Sequence, residues 1–239
     1  MTFLLRLNLA YLNKLAATPA GRAHVLSQAA DSESSGEARI FGEVLARAAD
    51  PELERLILRH RDDELRHERL FRARHAANAP DPRAPPDGLR FVEQLNRALG
   101  GILDRPITGA RGVLDAYCLL QVLEERAVES FGLFIEAFRG PDPESSAVFA
   151  QVLEDERRHL KYCVAVAKRY AASEEERLSV LARMREVEGR VFQQNQLANM
   201  EHTLSSGYLG WQTPFWRCVQ WLSRVAPVAP RQAVRPLEA

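Results

Sequence analysis

Two short segments of this 239-residue chain carry the same pattern of acidic and histidine side chains. The first contains Asp63, Glu64 and His67, and the pattern D-E-x-x-H recurs 92 residues later as Asp155, Glu156 and His159. On a helix, residues three apart lie on one face, so the glutamate and histidine of each copy point to the same place. Carboxylate and imidazole groups held together in this way predict a site for a transition metal.

The apolar residues around each copy predict that its glutamate and histidine face the protein interior. At about 100° per residue, the side of the helix that carries Glu156 also carries Phe149, Val152, Cys163, Ala167 and Tyr170. Glu64 is flanked in the same way by Leu53, Ile57 and Phe71. Charged groups are costly to bury unless they are paired, hydrogen-bonded or bound to a metal. We therefore expect a metal site in the core.

The helix that precedes the second copy is expected to add one carboxylate. Glu124 lies at the centre of an apolar stripe in residues 111–139, and Glu125 lies about 100° away from it. The 92-residue repeat would instead pair Glu33 with Glu125. Burial brings a ligand to a metal, so the sequence favours Glu124 and leaves Glu125 as the alternate.

The helix that precedes the first copy is expected to add another carboxylate. Glu33 continues an apolar stripe, and its spacing of 31 residues to Glu64 resembles the 32 residues between Glu124 and Glu156. Glu37 is the alternate, although it is only 27 residues from Glu64. Ser34 with Glu37 also has the pattern of a capping box, which would start a helix there and leave Glu33 outside it. The sequence favours Glu33.

The predicted ligands form one set of four glutamates and two histidines: Glu33, Glu64, His67, Glu124, Glu156 and His159. A glutamate from each of two helices and Glu-x-x-His from each of two others is the pattern of di-iron and di-manganese sites in helix bundles. The oxygen donors together with two imidazoles suit two iron ions, with manganese as the alternative. His60 also falls near the inward face of its helix, but it has no partner in the repeat. It is therefore expected to be a core or rim residue.

The periodicity of the apolar residues predicts an all-α fold. Helices are expected over about 3–15, 19–48, 52–77, 87–99, 111–139, 144–171, 174–205 and 214–225. The four central helices form two matching hairpins, which predicts a four-helix bundle with additional N- and C-terminal helices. We expect one domain over 1–205, with the di-iron core at about 30–171. An aromatic helix and a Pro-rich tail would then occupy 206–239.

Composition narrows the class of protein. The 32 basic and 32 acidic residues balance, so no overall field favours nucleic acid or an anionic membrane. No segment reaches the roughly 20 apolar residues of a membrane span. Three widely spaced cysteines, Cys118, Cys163 and Cys218, are typical of a reduced compartment. The sequence therefore indicates a soluble, cytoplasmic protein.

With these motifs, residues 30–171 resemble the ferritin-like di-iron superfamily. The paired E…D-E-x-x-H form is similar to its oxygen-activating branch, which includes the soluble methane monooxygenase hydroxylase, acyl carrier protein desaturases and arylamine N-oxygenases. Two further stretches resemble the bacterial tRNA hydroxylases that act on a prenyl-modified adenosine, namely LEERAVESF (123–131) and DDELRHERLF (62–71).

The resemblance implies a ferritin-like bundle and a di-iron enzyme that uses O2 to hydroxylate, N-oxygenate or desaturate an organic substrate. It implies that Glu64 and Glu156 bridge the metals, that His67 and His159 each bind one, and that Glu33 and Glu124 are terminal ligands. Asp63 and Asp155, one turn before the histidines, could accept the outer ring N–H of a metal-bound imidazole. A cavity lined by Phe41, Phe71 and Phe131 is expected to reach the metals.

The implied partners are O2, an organic substrate and an external electron donor, since no flavin or nicotinamide fingerprint is present. A modified tRNA nucleoside is one candidate substrate, and the aromatic C-terminal helix is expected to pack on the bundle or on a second subunit of a homodimer. Two other functions stay open. One is a ferroxidase, peroxidase or iron-storage protein, and the other is a non-catalytic helical interaction protein.

Overall fold

The computed structural model describes residues 3–34, 37–45, 51–78 and 87–225. These residues form nine α-helices and three short 3-10 turns and contain no strand, which confirms the predicted all-α class. The helices are α1 (Phe3–Ala16), α2 (Pro19–Ser34), α3 (Glu37–Leu45), α4 (Pro51–Asn78), α5 (Phe91–Ala98), α6 (Gly109–Phe138), α7 (Pro143–Tyr170), α8 (Glu174–Ser205) and α9 (Thr213–Val225).

The helix expected over 19–48 is described in two parts. These are α2, which ends at Ser34, and α3, which begins at Glu37. Residues 35–36 lie outside the described residues. Residues 46–48 of the expected helix lie outside the described residues.

Two other helices, α7 and α8, begin with a side-chain cap. At α7 the side chain of Asp142 accepts a hydrogen bond from the Ser145 N–H at 3.1 Å, and Pro143 follows in the first turn. At α8 the Ser173 hydroxyl oxygen accepts from the Glu176 N–H at 3.1 Å. The Glu176 carboxylate accepts in return from the Ala172 N–H at 2.8 Å, one residue before the cap, so the pair resembles a capping box.

Four long helices make the centre of the fold. Helix α2 packs along α4, α6 packs along α7, and α4 contacts α7. Helix α8 lies beside α6, and α9 packs on α8. No helix in the described ranges has both the length and the apolar composition that crossing a membrane requires.

Two apolar clusters fill the interior, one at each end of the central helices. The Tyr117 cluster contains Ile57, Tyr117, Leu120, Cys163 and Ala167. The Phe149 cluster contains Phe71, Phe131, Phe138, Phe149 and Val152. Along α4, α6 and α7, the residues between these two clusters are the predicted metal ligands. The fold therefore holds a buried polar layer between two apolar ends.

Candidate metal centre

Four helices contribute side chains to the buried polar layer. Helix α2 supplies Glu33 from its last turn, and α6 supplies Glu124 from its middle. Helices α4 and α7 supply the two Glu-x-x-His pairs. The layer contains two groups of four side chains whose ligand atoms all lie within 4.8 Å of one another. We call them site 1 (Glu33, Glu64, His67, Glu156) and site 2 (His60, Glu64, Glu124, His159).

Site 1 is arranged around one ring nitrogen. Nδ1 of His67 lies 3.1 Å from a carboxylate oxygen of Glu33, 3.1 Å from one of Glu156 and 3.9 Å from one of Glu64. The last turn of α2 therefore reaches the site. Site 1 offers three carboxylates and one imidazole.

Site 2 also surrounds a histidine ring nitrogen, and it has a second imidazole in place of one carboxylate. Nδ1 of His159 lies 3.2 Å from Oε1 of Glu64 and 4.0 Å from Oε1 of Glu124. Nε2 of His60 lies 3.2 Å from Oε1 of Glu64 and 2.9 Å from Oε1 of Glu124. Glu64 belongs to both sites, which puts it between them.

His60 is the member of the cluster that sequence reasoning missed. It precedes Glu64 by one helical turn, and this i, i+4 spacing was the available signal. The repeat hid the signal, because the residue 92 positions later is Val152. In the structure the imidazole of His60 is buried against the ring of Phe41 and the ring of His159, with centroids 4.6 and 3.8 Å away.

The alternate glutamate of α6, Glu125, does not enter the cluster. Glu125 is buried on another side of α6, where it accepts hydrogen bonds from Gln121 at 2.9 Å and from Arg185 of α8 at 3.0 Å. The apolar face was therefore a better guide than the 92-residue repeat to which glutamate enters the cluster. Helix α3 begins at Glu37, whose side chain lies outside the described part of the structure.

The two aspartates contact the histidines, but not in the way the sequence suggested. Asp63 accepts from Nε2 of His159 at 3.2 Å, and Asp155 faces Nε2 of His67 at 3.1 Å. Each pair crosses between α4 and α7, whereas the expected pairs lay within one helix. The reason is that each ring points into the space between the two helices, so its outer nitrogen is closer to the neighbouring helix than to its own.

Two arginines hold these aspartates in place. Arg66 contacts Asp63 at 2.7 Å and also Asp155. Arg158, its counterpart in the repeat, contacts Asp155 and lies 3.2 Å from Asp63. The four side chains make a near-symmetric set of ion pairs that closes the cluster on its histidine side.

Burial and close charges change the pKa of most cluster members. Burial raises the pKa of Glu33 well above its usual value, and the nearby charges of Glu64 and Glu156 raise it further. Burial would lower the pKa of His67, but its contacts with Glu156 and Glu33 raise it to about 11. The pKa of His159 is likewise raised, against the effect of burial, by Asp63 and its glutamate neighbours. Without a cation, protons on the imidazoles balance the carboxylates.

The donor atoms of the cluster fit a metal better than they fit each other. Four atoms that face its centre make no hydrogen bond of normal geometry to any described residue: Nε2 of His60, Oε1 of Glu64, Oε1 of Glu156 and Nδ1 of His159. Buried polar atoms rarely stay without a partner. These four atoms, from α4 and α7, are ones that a bound cation would satisfy.

A cavity of about 130 Å³ leads to the carboxylate side of the cluster. Its inner wall includes all four glutamates of the two sites, and its outer wall comes from α2, α5, α6 and α8. Phe131 lines it as predicted, together with Phe91, Phe134 and Phe192. Phe41 and Phe71 were expected there but do not line it, because they fill the Tyr117 and Phe149 clusters on either side of the site.

Comparisons with protein-family models, with curated proteins and with solved structures found no match.

Proposed function

We propose that this protein is a ferritin-like di-iron oxygenase that uses O2 to oxidise a small organic substrate. One observation carries the proposal. A buried cluster with two overlapping four-residue sites has a cavity on its carboxylate side and ion-paired aspartates on its histidine side. A metal site that is open to a substrate on one side and held rigid on the other is what such an enzyme requires.

The donor set supports iron or manganese. Four carboxylates and three imidazoles are harder ligands than the thiolates that select zinc or copper(I). The histidines also make calcium and magnesium poor candidates, because those ions prefer all-oxygen sites. The two apolar clusters exclude water on either side and so strengthen every charge interaction inside.

The residues of the chain have distinct tasks in this proposal. Glu64 would hold both metals, since its carboxylate belongs to both sites. Asp63 and Asp155 accept the outer N–H of His159 and His67, which would leave each Nδ1 available as a metal ligand. Arg66 and Arg158 hold the two aspartates in place through ion pairs. The metal pair, when bound, supplies the electrons and Lewis acidity with which O2 is reduced, and an external donor restores the electrons.

The cavity favours an uncharged substrate with a planar or apolar group. Its aromatic wall suits a ring, and its volume of about 130 Å³ is close to the roughly 150 Å³ of an apolar cavity that holds one benzene. Two charged side chains other than the ligands line it, and both are paired. Arg126 contacts Glu188 at 2.7 and 3.1 Å, and Asp31 lies 3.6 Å from Arg90. A charged substrate group would therefore find no unmatched opposite charge among them.

The test is oxygen transfer by protein reconstituted with ferrous iron without air and then mixed with ¹⁸O₂, a chemical reductant and a small aromatic probe such as aniline or phenol. We expect ¹⁸O in the product and O2 uptake that depends on the probe. Ala127→Trp, which fills the cavity one turn beyond Glu124, should retain both metals and lose this dependence.

Ser205→Ala, at the end of α8 and outside the cavity lining, is the control and should behave as the wild type. Fast iron oxidation with release of ferric iron, unaffected by any probe or by the cavity variant, would show a ferroxidase instead. Failure to bind iron at all would contradict the metal site itself.

A further inference from the structure

The end of the chain exposes apolar side chains that the helix bundle does not cover. Six large hydrophobic side chains are exposed in the described part of the structure, and four of them lie within residues 211–222. Trp211 is 88 % exposed and Trp221 is 63 % exposed, and Phe215 and Leu222 are also exposed. Scattered apolar residues on a surface are ordinary, but a concentration such as this one indicates a contact with something else.

Helix α9 is held firmly by its other face. Trp216 is buried and packs edge-on against Tyr11 of α1, with ring centroids 5.3 Å apart. Gln220 is also buried and donates hydrogen bonds to Glu201 at 2.9 Å and to the Leu197 carbonyl at 3.3 Å. The outward direction of the apolar face is therefore set by the fold.

The apolar face continues onto α1. A wide groove between the two helices is lined by Leu7, Ala10 and Lys14 of α1 and by Trp211, Pro214 and Phe215. Its one charged lining residue is a lysine. We call the combined area, formed by α1 and residues 211–224, the terminal surface.

Basic and acidic residues balance over the whole chain, but they are distributed unevenly along it. Residues 1–30 and 202–239 together hold seven basic residues and one acidic residue, a net charge of +6. Residues 31–201 carry the opposite charge, with 25 basic and 31 acidic residues. The helices of the terminal surface, α1 and α9, contain no acidic residue.

We propose that the terminal surface binds an anionic lipid membrane, with α9 lying in the plane of the headgroups. Tryptophan is enriched at the membrane–water interface because its ring is apolar and its N–H is polar. Apolar side chains on one face with flanking basic residues are typical of helices that bind at the interface. Arg217 and Arg224 flank the apolar face of α9, and Lys14 lies beside the groove.

One acidic residue lies close to these arginines. Glu201 is 4.0 Å from Arg217 and 3.6 Å from Arg224. Exposed ion pairs of this kind are weak, so both guanidinium groups stay available to lipid phosphates. A second copy of the chain is a poorer occupant. In a symmetric dimer this surface would face itself, and the positive charges would repel each other.

Intrinsic fluorescence tests the proposal without a label, because all three tryptophans of the chain are Trp211, Trp216 and Trp221. Vesicles of equimolar phosphatidylglycerol and phosphatidylcholine should shift the emission to shorter wavelength and sediment the full-length protein. Vesicles of phosphatidylcholine alone should bind it much more weakly, and added salt should weaken the binding to anionic vesicles.

Matched variants separate the apolar and basic contributions. Leu222→Ser with Phe215→Ser should lower the partition coefficient on the order of tenfold, whereas Leu178→Ser, at an equally exposed leucine of α8, should leave it unchanged. Arg217→Gln and Arg224→Gln should each lower it about fivefold. Arg190→Gln replaces an exposed arginine of α8, outside the terminal surface, and is the control for both arginine variants.

The membrane proposal would be overturned by absence of binding to either vesicle or by equal loss in the Leu178 control. Tighter binding to a structured RNA than to vesicles would show that nucleic acid is the occupant. A fluorescence shift that depends on protein concentration alone would show self-association. The metal-free Glu64→Ala protein should bind vesicles as well as the wild type, so this proposal and the proposed enzyme function fail separately.

Discussion

Site 1 and site 2 are related by the internal repeat of the chain, yet they offer different ligands. Site 1 has three carboxylates and one imidazole, and site 2 has two of each. Two features make the difference. His60 of α4, whose counterpart on α7 is Val152, belongs to site 2, and Glu156 belongs to site 1 alone, whereas Glu64 belongs to both sites. The repeat provides the framework of two matching sites, and these two features make them unequal. We therefore expect site 2 to bind a transition metal more tightly than site 1.

The two positions have different surroundings. Val152 is fully buried in the Phe149 cluster. His60 lies at the opposite end of the polar layer, beside the ring of Tyr162 at 5.9 Å and the ring of His159. Position 60 therefore belongs to the polar layer, whereas position 152 belongs to an apolar cluster.

The largest effect is expected from Glu64→Ala, because this residue belongs to both sites. The variant should lose close to two metal ions per chain while its helical circular dichroism is unchanged. Glu68→Ala, one turn along α4 and paired with Arg72, is the matched control and should retain both metals. Elemental analysis after reconstitution measures the metal content of both variants. Two metals in Glu64→Ala would contradict the shared role.

The next effect separates the neighbours Glu124 and Glu125. Glu124→Ala should lose the metal of site 2 and retain that of site 1. Glu125→Ala should retain both metals and lower the thermal midpoint, because it leaves Arg185 without its buried partner. Metal content together with thermal unfolding decides the outcome. The reverse order would show that the repeat identifies ligands better than the apolar face does.

Replacing His60 tests directly how much this residue contributes to the difference between site 1 and site 2. His60→Val should weaken metal binding at site 2 by at least tenfold, since even residues behind the ligands contribute about 10–100-fold. It should also remove the advantage of site 2, which would keep two carboxylates and one imidazole against the three carboxylates and one imidazole of site 1. Competitive titration with a chelator resolves the two affinities. An unchanged pair of affinities would show that His60 is only a core residue.

The crossed aspartates predict a smaller and selective effect. Asp155→Asn should weaken site 1 through His67, and Asp63→Asn should weaken site 2 through His159, by about 10–100-fold each. The same chelator titration distinguishes the sites. If each substitution instead affected the histidine of its own helix, the pairing within one helix would be correct.

The smallest effect concerns pH. The pKa of His67 is raised to about 11 by its carboxylate neighbours in the metal-free protein, so this contribution to stability is complete below the ordinary value. It is lost as the pH rises through the raised value. Between about pH 7 and pH 9 the metal-free protein should therefore become less stable. Stabilisation by added metal should increase over the same range, because metal replaces the proton. Urea unfolding at several pH values measures both trends.

The sequence predicted those features that depend on the periodicity of one helix. Apolar stripes located the long helices, and the direction of the apolar face distinguished Glu124 from Glu125 before any packing was known. Glu33 was favoured on the same grounds, and the structure brings its carboxylate to His67. Their role as metal ligands stays a prediction until metal binding is measured.

Features that depend on how helices face each other could not be predicted in this way. The crossing of the aspartates follows from the offset between α4 and α7, which no single-helix pattern encodes. His60 was missed because the prediction of ligands relied on the repeat, and the counterpart of His60 in the repeat is Val152. The cavity depends on where α5 and α8 cover the bundle, so its phenylalanines were only partly anticipated.

The most direct test of the central claim is a crystal structure of the protein grown with ferrous iron, with anomalous differences recorded at the iron edge. We expect two anomalous peaks, one in site 1 and one in site 2, with the Glu64 carboxylate between them. No peak among these seven residues, or a single peak that does not involve Glu64, would contradict the proposed pair of metal sites.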